Sequence, residues 1–294
     1  MPAALTITSR ANPRFKALHA LLAPGGPRRG HTLILGEKLV DAWREAPAGV
    51  RDRFRPVTWL RLEGAEPHPL EGTLAPETLV LGEGLMRDLA DAGSPPRHAL
   101  LAAVGPDPAG PLAARVIVPW GIQDPGNLGA ILRSAAAFGF QEALLGPQCA
   151  DPFSPRALRG SMGAAFLLPV RRTGTLDPYL EPGRSGPGDG GRWLALDGGP
   201  GALPLAEADL GEPLRILVGN EGHGWQGADL PPGVRRVAIP IRGVESLNAA
   251  VAAGIACFET ARRATLAPLR PADRQVDRQA DRHVNSQANP QADR

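Results

Sequence analysis

Asn127, Arg133, Glu221, Ser246 and Asn248 are the side chains of this chain whose types and settings could do chemistry. They sit in three segments: IQDPGNLGAILRSAAAFGF (Ile122 to Phe140), ILVGNEGHGW (Ile216 to Trp225) and IPIRGVESLNAAVAAGIACFE (Ile239 to Glu259). Each reads as a strand end, a Gly- or Asn-rich turn, and the start of a helix or further strand. Three such turns within one domain length can converge on one ligand at the carboxyl ends of a parallel sheet. The site they predict is built largely from backbone, with a few hydrogen-bonding side chains to orient what binds.

In the first segment, Asp124-Pro125-Gly126-Asn127 is a turn, and Asn127 is placed to cap a helix running from about Leu128 to Phe138. Gly129 allows a close backbone or ligand approach. Arg133 is a lone charge in an apolar helix. It reads either as a surface arginine snorkelling to water or as one held near the turn to grip a phosphate or hydroxyl. In the second segment, Gly219, Gly222 and Gly224 leave amides exposed after a buried strand. The pattern is neither GxGxxG nor a phosphate loop followed by Lys-Ser/Thr, which disfavours nucleoside triphosphates. Glu221 is its one carboxylate, read alternatively as a turn-stabilising side chain, and His223 reads as an exposed loop histidine or an acid–base group. In the third segment, Ser246 is placed as an N-cap, Asn248 falls in the first turn, and an Ala-rich helix follows to about Arg263. Its thin surface suits close packing of another helix.

The elements that must position these turns follow from the apolar runs. RVIVPW (Arg115 to Trp120), ALL at 143–145, AAFLLPV ending at Val170, WLALD (Trp193 to Asp197), RILVG (Arg215 to Gly219) and RVAIPI (Arg236 to Ile241) read as strands, with a helix from Pro155 to Met162 between them. Continuous apolar strands alternating with helices indicate a mainly parallel sheet covered on both faces, an α/β fold. A smaller α/β unit precedes it: a helix from Pro13 to Leu22, strands at His31 to Leu35, Val57 to Leu62, Thr78 to Leu81 and Ala99 to Val104, and a helix from Lys38 to Glu45. The expected domains are 1–108 and 113–266, joined by the Gly/Pro-rich GPDPAGP (Gly105 to Pro111). From Ala267 to Arg294 the chain repeats Asp-Arg and lacks aromatic residues, which predicts a disordered tail.

Composition narrows the class. No apolar run is long enough to span a bilayer, and the N-terminus has no charged-then-apolar leader pattern, so a cytoplasmic protein is expected. Cys149 and Cys257 are far apart and form no CxxC, which supports neither a disulfide framework nor a zinc site; no metal is expected. Cys257, in an Ala-rich helix, reads as a small buried residue. Residues 1–60 hold ten Lys and Arg against four Asp and Glu, whereas 61–111 hold three against eight. A basic face of that kind can track a phosphate backbone, although an ordinary solvated face has the same charge.

Together the three segments resemble the SpoU (TrmH-like) RNA ribose 2′-O-methyltransferases of the SPOUT superfamily; all three family motifs occur in order across 115–263. The N-terminal ITSRANPRFKALHALL is similar to the opening of that family's RNA-substrate-binding domain, which has an L30e/L7Ae-like fold. The resemblance implies a deep trefoil knot in the C-terminal domain, with S-adenosylmethionine bound in its loops, and a homodimer formed through the catalytic domain. It implies active-site roles for Asn127, Arg133, Glu221, Ser246 and Asn248, with Arg133 acting on cofactor bound mainly by the other subunit. Cofactor contacts fall to Leu196, Gly198, Gly219, Asn220, Ile239, Ile241 and Leu247, and RNA contacts to Arg10, Asn12, Arg14, Lys16, Arg28 and Arg29. The sequence departs from the family pattern at Trp120, at Ala249-Ala250 and at Trp225.

The activity so implied is S-adenosylmethionine-dependent methylation of a ribose 2′-hydroxyl in structured rRNA. The alternatives are a tRNA ribose methyltransferase, an rRNA methyltransferase conferring antibiotic resistance, and a non-catalytic RNA-binding assembly factor. A Rossmann-type oxidoreductase is disfavoured because no strand is followed by GxGxxG.

Overall fold

The computed structural model describes residues 4–22, 30–90, 94–180, 191–220 and 230–266. Its strands form two sheets. The first comprises β1 (Leu5–Ile7), β2 (His31–Leu35), β3 (Phe54–Leu62), β4 (Glu77–Leu81) and β5 (His98–Val104), with helices α1 (Pro13–Ala20), α2 (Glu37–Glu45), α3 (Ala48–Arg51) and α4 (Glu83–Ala90). Across this sheet the order is β1-β4-β3-β5-β2. β1, β4 and β3 run parallel, and β5 is antiparallel to both its neighbours. Asn12 caps α1 by accepting from the Arg14 amide at 2.9 Å, and Pro13 opens the helix where its missing N–H costs nothing.

The second sheet comprises β6 (Arg115–Pro119), β7 (Glu142–Leu145), β8 (Val170–Arg172), β9 (Arg192–Leu196), β10 (Leu203–Pro204), β11 (Leu214–Val218) and β12 (Val234–Ala238). Helices α5 (Pro125–Ala137), α6 (Pro155–Ser161), α7 (Asp177–Leu180) and α8 (Ala249–Leu266) accompany it. The order is β10-β12-β9-β11-β6-β7-β8, and every pairing is parallel. β7 and β11 are buried along their whole length, as strands covered on both faces must be.

Several elements differ from the sequence expectation. AAFLLPV is not a strand: Ala164–Phe166 form a 3₁₀ turn, and β8 begins only at Val170. Gly163, with φ +83°, breaks the backbone, and Phe166 N–H returns to Gly163 O at 2.9 Å. β12 covers Val234–Ala238 rather than reaching Ile241, because Pro240 can donate no ladder hydrogen bond there. The short β1 and the helix α4 were not anticipated.

The two sheets share an apolar junction. Phe54 of β3 meets Phe153 and Phe166 edge-on, with centroids 4.9 and 5.1 Å away. Thr32 of β2 donates to the Phe153 carbonyl. A Cβ on Gly163 would stand 2.5 Å from Ala42 Cβ, so α2 rests directly on that glycine. The segment between the sheets is pinned as well. Asp107 is paired with Arg53 and Arg172, and Glu142, nearly buried, accepts from Arg171 Nε and the Ala113 amide, each at 2.9 Å. Arg171 in turn donates to Gly110 O at 2.6 Å.

Candidate active site

β12, β9 and β11 lie side by side, and their registers align Leu196 with both Val218 and Val237. The segments leaving these strands therefore emerge together at one edge of the sheet. Six of the seven residues expected to contact a cofactor lie just past or at these strand ends: Leu196, Gly198, Gly219, Asn220, Ile239 and Ile241. Leu196 and Ile239 are half-buried against the core, and Ile241 is exposed. Nothing stands within 4 Å of where a Cβ on Gly198 would lie.

A carboxylate at this edge is already committed. Asp197, only 6% exposed at its side chain, is paired with Arg236 and accepts from the Gly199 amide at 2.9 Å. It stabilises the turn through Gly198. Asn220 donates through Nδ2 to Gly121 O at 3.0 Å, and Trp120 N–H donates to Val218 O at 2.9 Å. Together these tie the end of β11 to the chain leaving β6.

The third and first turns meet here. Asn248 Oδ1 accepts from the Ala250 and Val251 amides at 2.9 and 3.3 Å, so Asn248 is the N-cap of α8. Its Nδ2 then donates to Asn127 Oδ1 at 3.2 Å. Two expectations are corrected. Ser246 is exposed and does not cap α8. Asn127 does not cap α5: Asp124 does, accepting from the Asn127 amide at 2.8 Å, with Pro125 in the first turn. The Asp-Pro pair is a recognisable helix-start signal. With Asp124 at the cap, the Asn127 side-chain carbonyl accepts from Asn248.

α5 is held against α6 and α8 at close range. A Cβ on Gly129 would lie 2.5 Å from Ala157 O and 2.8 Å from Ser161 N, so only glycine fits between α5 and α6. A Cβ on Gly254 would sit 3.4 Å from Ser134 Oγ, which is how closely α8 approaches α5. Cys257 is fully buried in this packing, and burial pushes its thiol up to about 12. It is a core residue.

Arg133 is not brought to the asparagine pair. It is exposed and makes no hydrogen bond or ion pair to any described residue. Six residues of helix separate it from Asn127, about 9 Å along the axis and roughly two-thirds of a turn around it. Leu247 is half-buried beside Asn248. Glu221, His223 and Trp225 lie outside the described residues, as do Arg28, Arg29 and the whole segment 267–294.

The N-terminal cations are more engaged than their charge suggested. Arg10 forms a two-point pair with Asp88, at 2.6 and 2.9 Å, and Arg14 pairs with Glu77. Asn12 is occupied as a cap. Lys16 is exposed and has no ion pair among the described residues. Among those residues no helix is long and apolar enough to cross a membrane, and no group of His, Cys, Asp or Glu could hold a metal ion.

Comparison with known proteins bears on this geometry. Residues 114–258 match the model of the SpoU rRNA Methylase family. An uncharacterised tRNA/rRNA methyltransferase of Synechocystis is 32% identical over 275 residues, covering 88% of this chain and 94% of that protein. The 23S rRNA (guanosine(2553)-2′-O)-methyltransferase RlmP of Bacillus subtilis is 31% identical over 227 residues, 77% of this chain and 86% of its own. Among solved structures, the SpoU methyltransferase AviRb of Streptomyces viridochromogenes, in complex with AdoMet, superposes with a TM-score of 0.74 at 25% identity. That match covers 86% of this chain and 98% of AviRb.

Proposed function

Because the chain belongs to the SpoU rRNA methylase family, we propose that it transfers a methyl group from S-adenosylmethionine to a ribose 2′-hydroxyl of ribosomal RNA. The observation that carries this reading is the Asn248–Asn127 hydrogen bond beside the aligned ends of β9, β11 and β12. The residues at that edge fit the methyl donor: a backbone-rich rim, an open Gly198, and aliphatic Leu196, Ile239 and Leu247 for an adenosine. Asp197, turned away into its pair with Arg236, leaves no free carboxylate at that turn. When bound, S-adenosylmethionine would supply an electrophilic methyl on a sulfonium, the thioether being the leaving group and the ribose hydroxyl giving its proton to solvent water.

The protein's part is positioning, which can supply much of the rate. Asn127 and Asn248, each fixing the other, orient the ribose. Arg133 holds the adjacent phosphate and stabilises the developing alkoxide. A guanidinium is a poor base, so the arginine acts as a clamp. Ser246 adds a hydroxyl to the polar rim, and the family motif gives Glu221 a role in the same reaction.

Arg133 acts on the site of a second subunit in a homodimer. Two observations support this. Arg133 is exposed and makes no hydrogen bond or ion pair to a described residue, and α8 carries an exposed apolar stripe of Val251, Ile255 and Phe258 at helical spacing, Phe258 packing edge-on against Phe138 of α5 at 5.8 Å. The N-terminal unit, residues 1–108, is an L30e-like RNA-binding domain, and residues 113–266 are the catalytic domain, with a deep trefoil knot. The enzyme works in the cytoplasm, where its RNA is.

The test is transfer of labelled methyl from S-adenosylmethionine to unmodified 23S rRNA and to bulk tRNA, with Arg133→Ala as control. Label on 23S rRNA alone, lost in the variant, is expected. Label on tRNA alone assigns the tRNA alternative.

A further inference from the structure

A cleft of about 1140 Å³ opens between the two sheets. It exceeds the usual range for small-molecule pockets, about 300–1,000 Å³. Its lining includes Gln123 and Pro125, the residues that flank the Asp124 cap of α5, so the cleft runs directly to the turn that carries Asn127. None of the described residues expected to contact the cofactor lines it.

Among the described residues, three arginines line the cleft: Arg156 and Arg159 of α6, and Arg172 of β8. The acidic side chains there are already matched. Asp88 is held by Arg10, and Asp151 accepts from the Phe153 amide at 3.0 Å and lies 3.4 Å from Arg172. Arg156 is pre-oriented by Asp124, at 2.9 Å, and its side chain remains 60% exposed. One guanidinium nitrogen serves Asp124, which leaves the other donors for an anion.

Backbone strain marks the same place. Among the described residues, only Gln148 and Met162 have positive φ without being glycine. Met162 terminates α6 as its C-cap. Gln148, at φ 59°, caps no helix and lines the cleft. A left-handed non-glycine residue without a capping role is a pointer to function.

We propose that this cleft carries the RNA strand leading to the target ribose, and that Arg156 grips a backbone phosphate next to the active-site turn. The proposal rests on the RNA methyltransferase reading and adds a path for the substrate. Among the described residues, the rings in the lining are Phe153, which is buried, and the exposed imidazoles of His19 and His31, and the contacts that the arginines there would make are to phosphate. Such contacts fix register and carry little sequence information. Arg156 is a positioning residue, acting on the substrate chain and, through Asp124, on α5.

The test measures RNA affinity by filter binding over a salt series, without S-adenosylmethionine, for wild type, Arg156→Gln and Arg156→Ala. Glutamine keeps a donor for Asp124 and removes the charge. For both variants RNA binding weakens about tenfold, and the slope of log K against log salt falls by about 1, as for one lost phosphate contact. S-adenosylmethionine affinity stays at the wild-type value, and in the methylation assay KM for RNA rises more than kcat falls. Unchanged affinity and slope in both variants overturn the cleft path while methyl transfer by wild type keeps the enzymatic reading. Conversely, a wild type that methylates no RNA, yet binds it with an Arg156-dependent slope, keeps the cleft and removes the reaction. Equal competition by polyglutamate and by RNA assigns the cleft to an acidic protein and overturns the proposal.

Discussion

Asn248 Nδ2 donates to Asn127 Oδ1 at 3.2 Å, while the Asn248 Oδ1 accepts from the Ala250 and Val251 amides. One side chain thus caps α8 and fixes a residue of α5. The two roles use different atoms and can be separated. Asn248→Asp keeps the acceptor and removes the donor; Asn248→Ala removes both. Thermal unfolding is expected to leave Asn248→Asp near wild type and to cost Asn248→Ala about 1 kcal/mol, the usual value of an N-cap. Both should lose roughly 100-fold in kcat, the scale of a mispositioned reacting group. Wild-type turnover by Asn248→Asp would remove the asparagine pair from the mechanism.

Arg133 behaves in the opposite way. Exposed and unbonded among the described residues, it can be changed to alanine with a stability effect within about 0.5 kcal/mol. Activity is expected to fall about 10²–10³-fold, as for loss of one donor to a developing oxyanion. If the site is shared between subunits, mixing Arg133→Ala with Asn248→Asp restores part of the activity, because some mixed dimers contain one intact site. Mixed dimers with no recovered activity would place Arg133 in the same subunit's site.

What the sequence made legible follows from period and punctuation. The parallel sheet was readable because the cores of β7 (ALL, 143–145) and β11 (ILV, 216–218) are continuous apolar runs, a pattern that few other environments give. Gly129 was readable as a close approach, and the packing of Ala157 against it bears that out. The caps were misread by a few residues. Ser246 and Asn127 are good cap types, but Asn248 and Asp124 stand nearby, and tertiary contact chose between them. Invisible in the sequence were the pairs that tie distant segments, such as Asp197–Arg236 and Arg156–Asp124, because ion-pair partners leave no periodic trace. The motif gave Arg133 a role in the site, and its separation from Asn127 by six residues of helix was legible from the spacing, whereas its lack of a bonded partner among the described residues was not.

Gly129→Ala tests the seating of α5 on α6. The added Cβ meets backbone atoms at 2.5 and 2.8 Å, and backbone cannot rotate aside as a side chain does. The helices must separate, at about 1–3 kcal/mol. Since Asn127 is two residues away on the same helix, RNA methylation should drop more than S-adenosylmethionine binding. Unfolding midpoint and calorimetric affinity for S-adenosylmethionine check the two parts, and an unchanged midpoint would contradict the packing described.

Glu142 and Arg171 bind the segment between the sheets to β7 and β8, with side chains 4% and 11% exposed. Glu142→Ala leaves a nearly buried guanidinium without its partner, expected to cost about 3–5 kcal/mol. Replacing both residues by apolar ones of similar volume should cost much less. Denaturant unfolding of the single and double variants distinguishes an ion pair that is needed from one that merely occupies space. Equal losses in both would mean that the pair itself contributes net stability.

His98 gives the first sheet a pH dependence. It is 4% exposed and accepts at Nδ1 from Trp59 Nε1 at 3.2 Å, so its proton is on Nε2, facing Glu37 at 3.8 Å. Protonation of Nδ1 would set two donors against each other. Desolvation, reinforced by the neighbouring His68, holds the His98 imidazole below the usual histidine range, although Glu37 and Glu71 pull the other way. The unfolded chain, with a histidine near about 6.5, therefore takes up a proton that the folded chain refuses. Stability is full above that value and declines as pH falls from it toward the depressed folded value, below which the slope ends. His98→Gln is expected to flatten the unfolding midpoint between pH 7 and 5 relative to wild type. Parallel profiles for the two proteins would show that another group controls the acid limb.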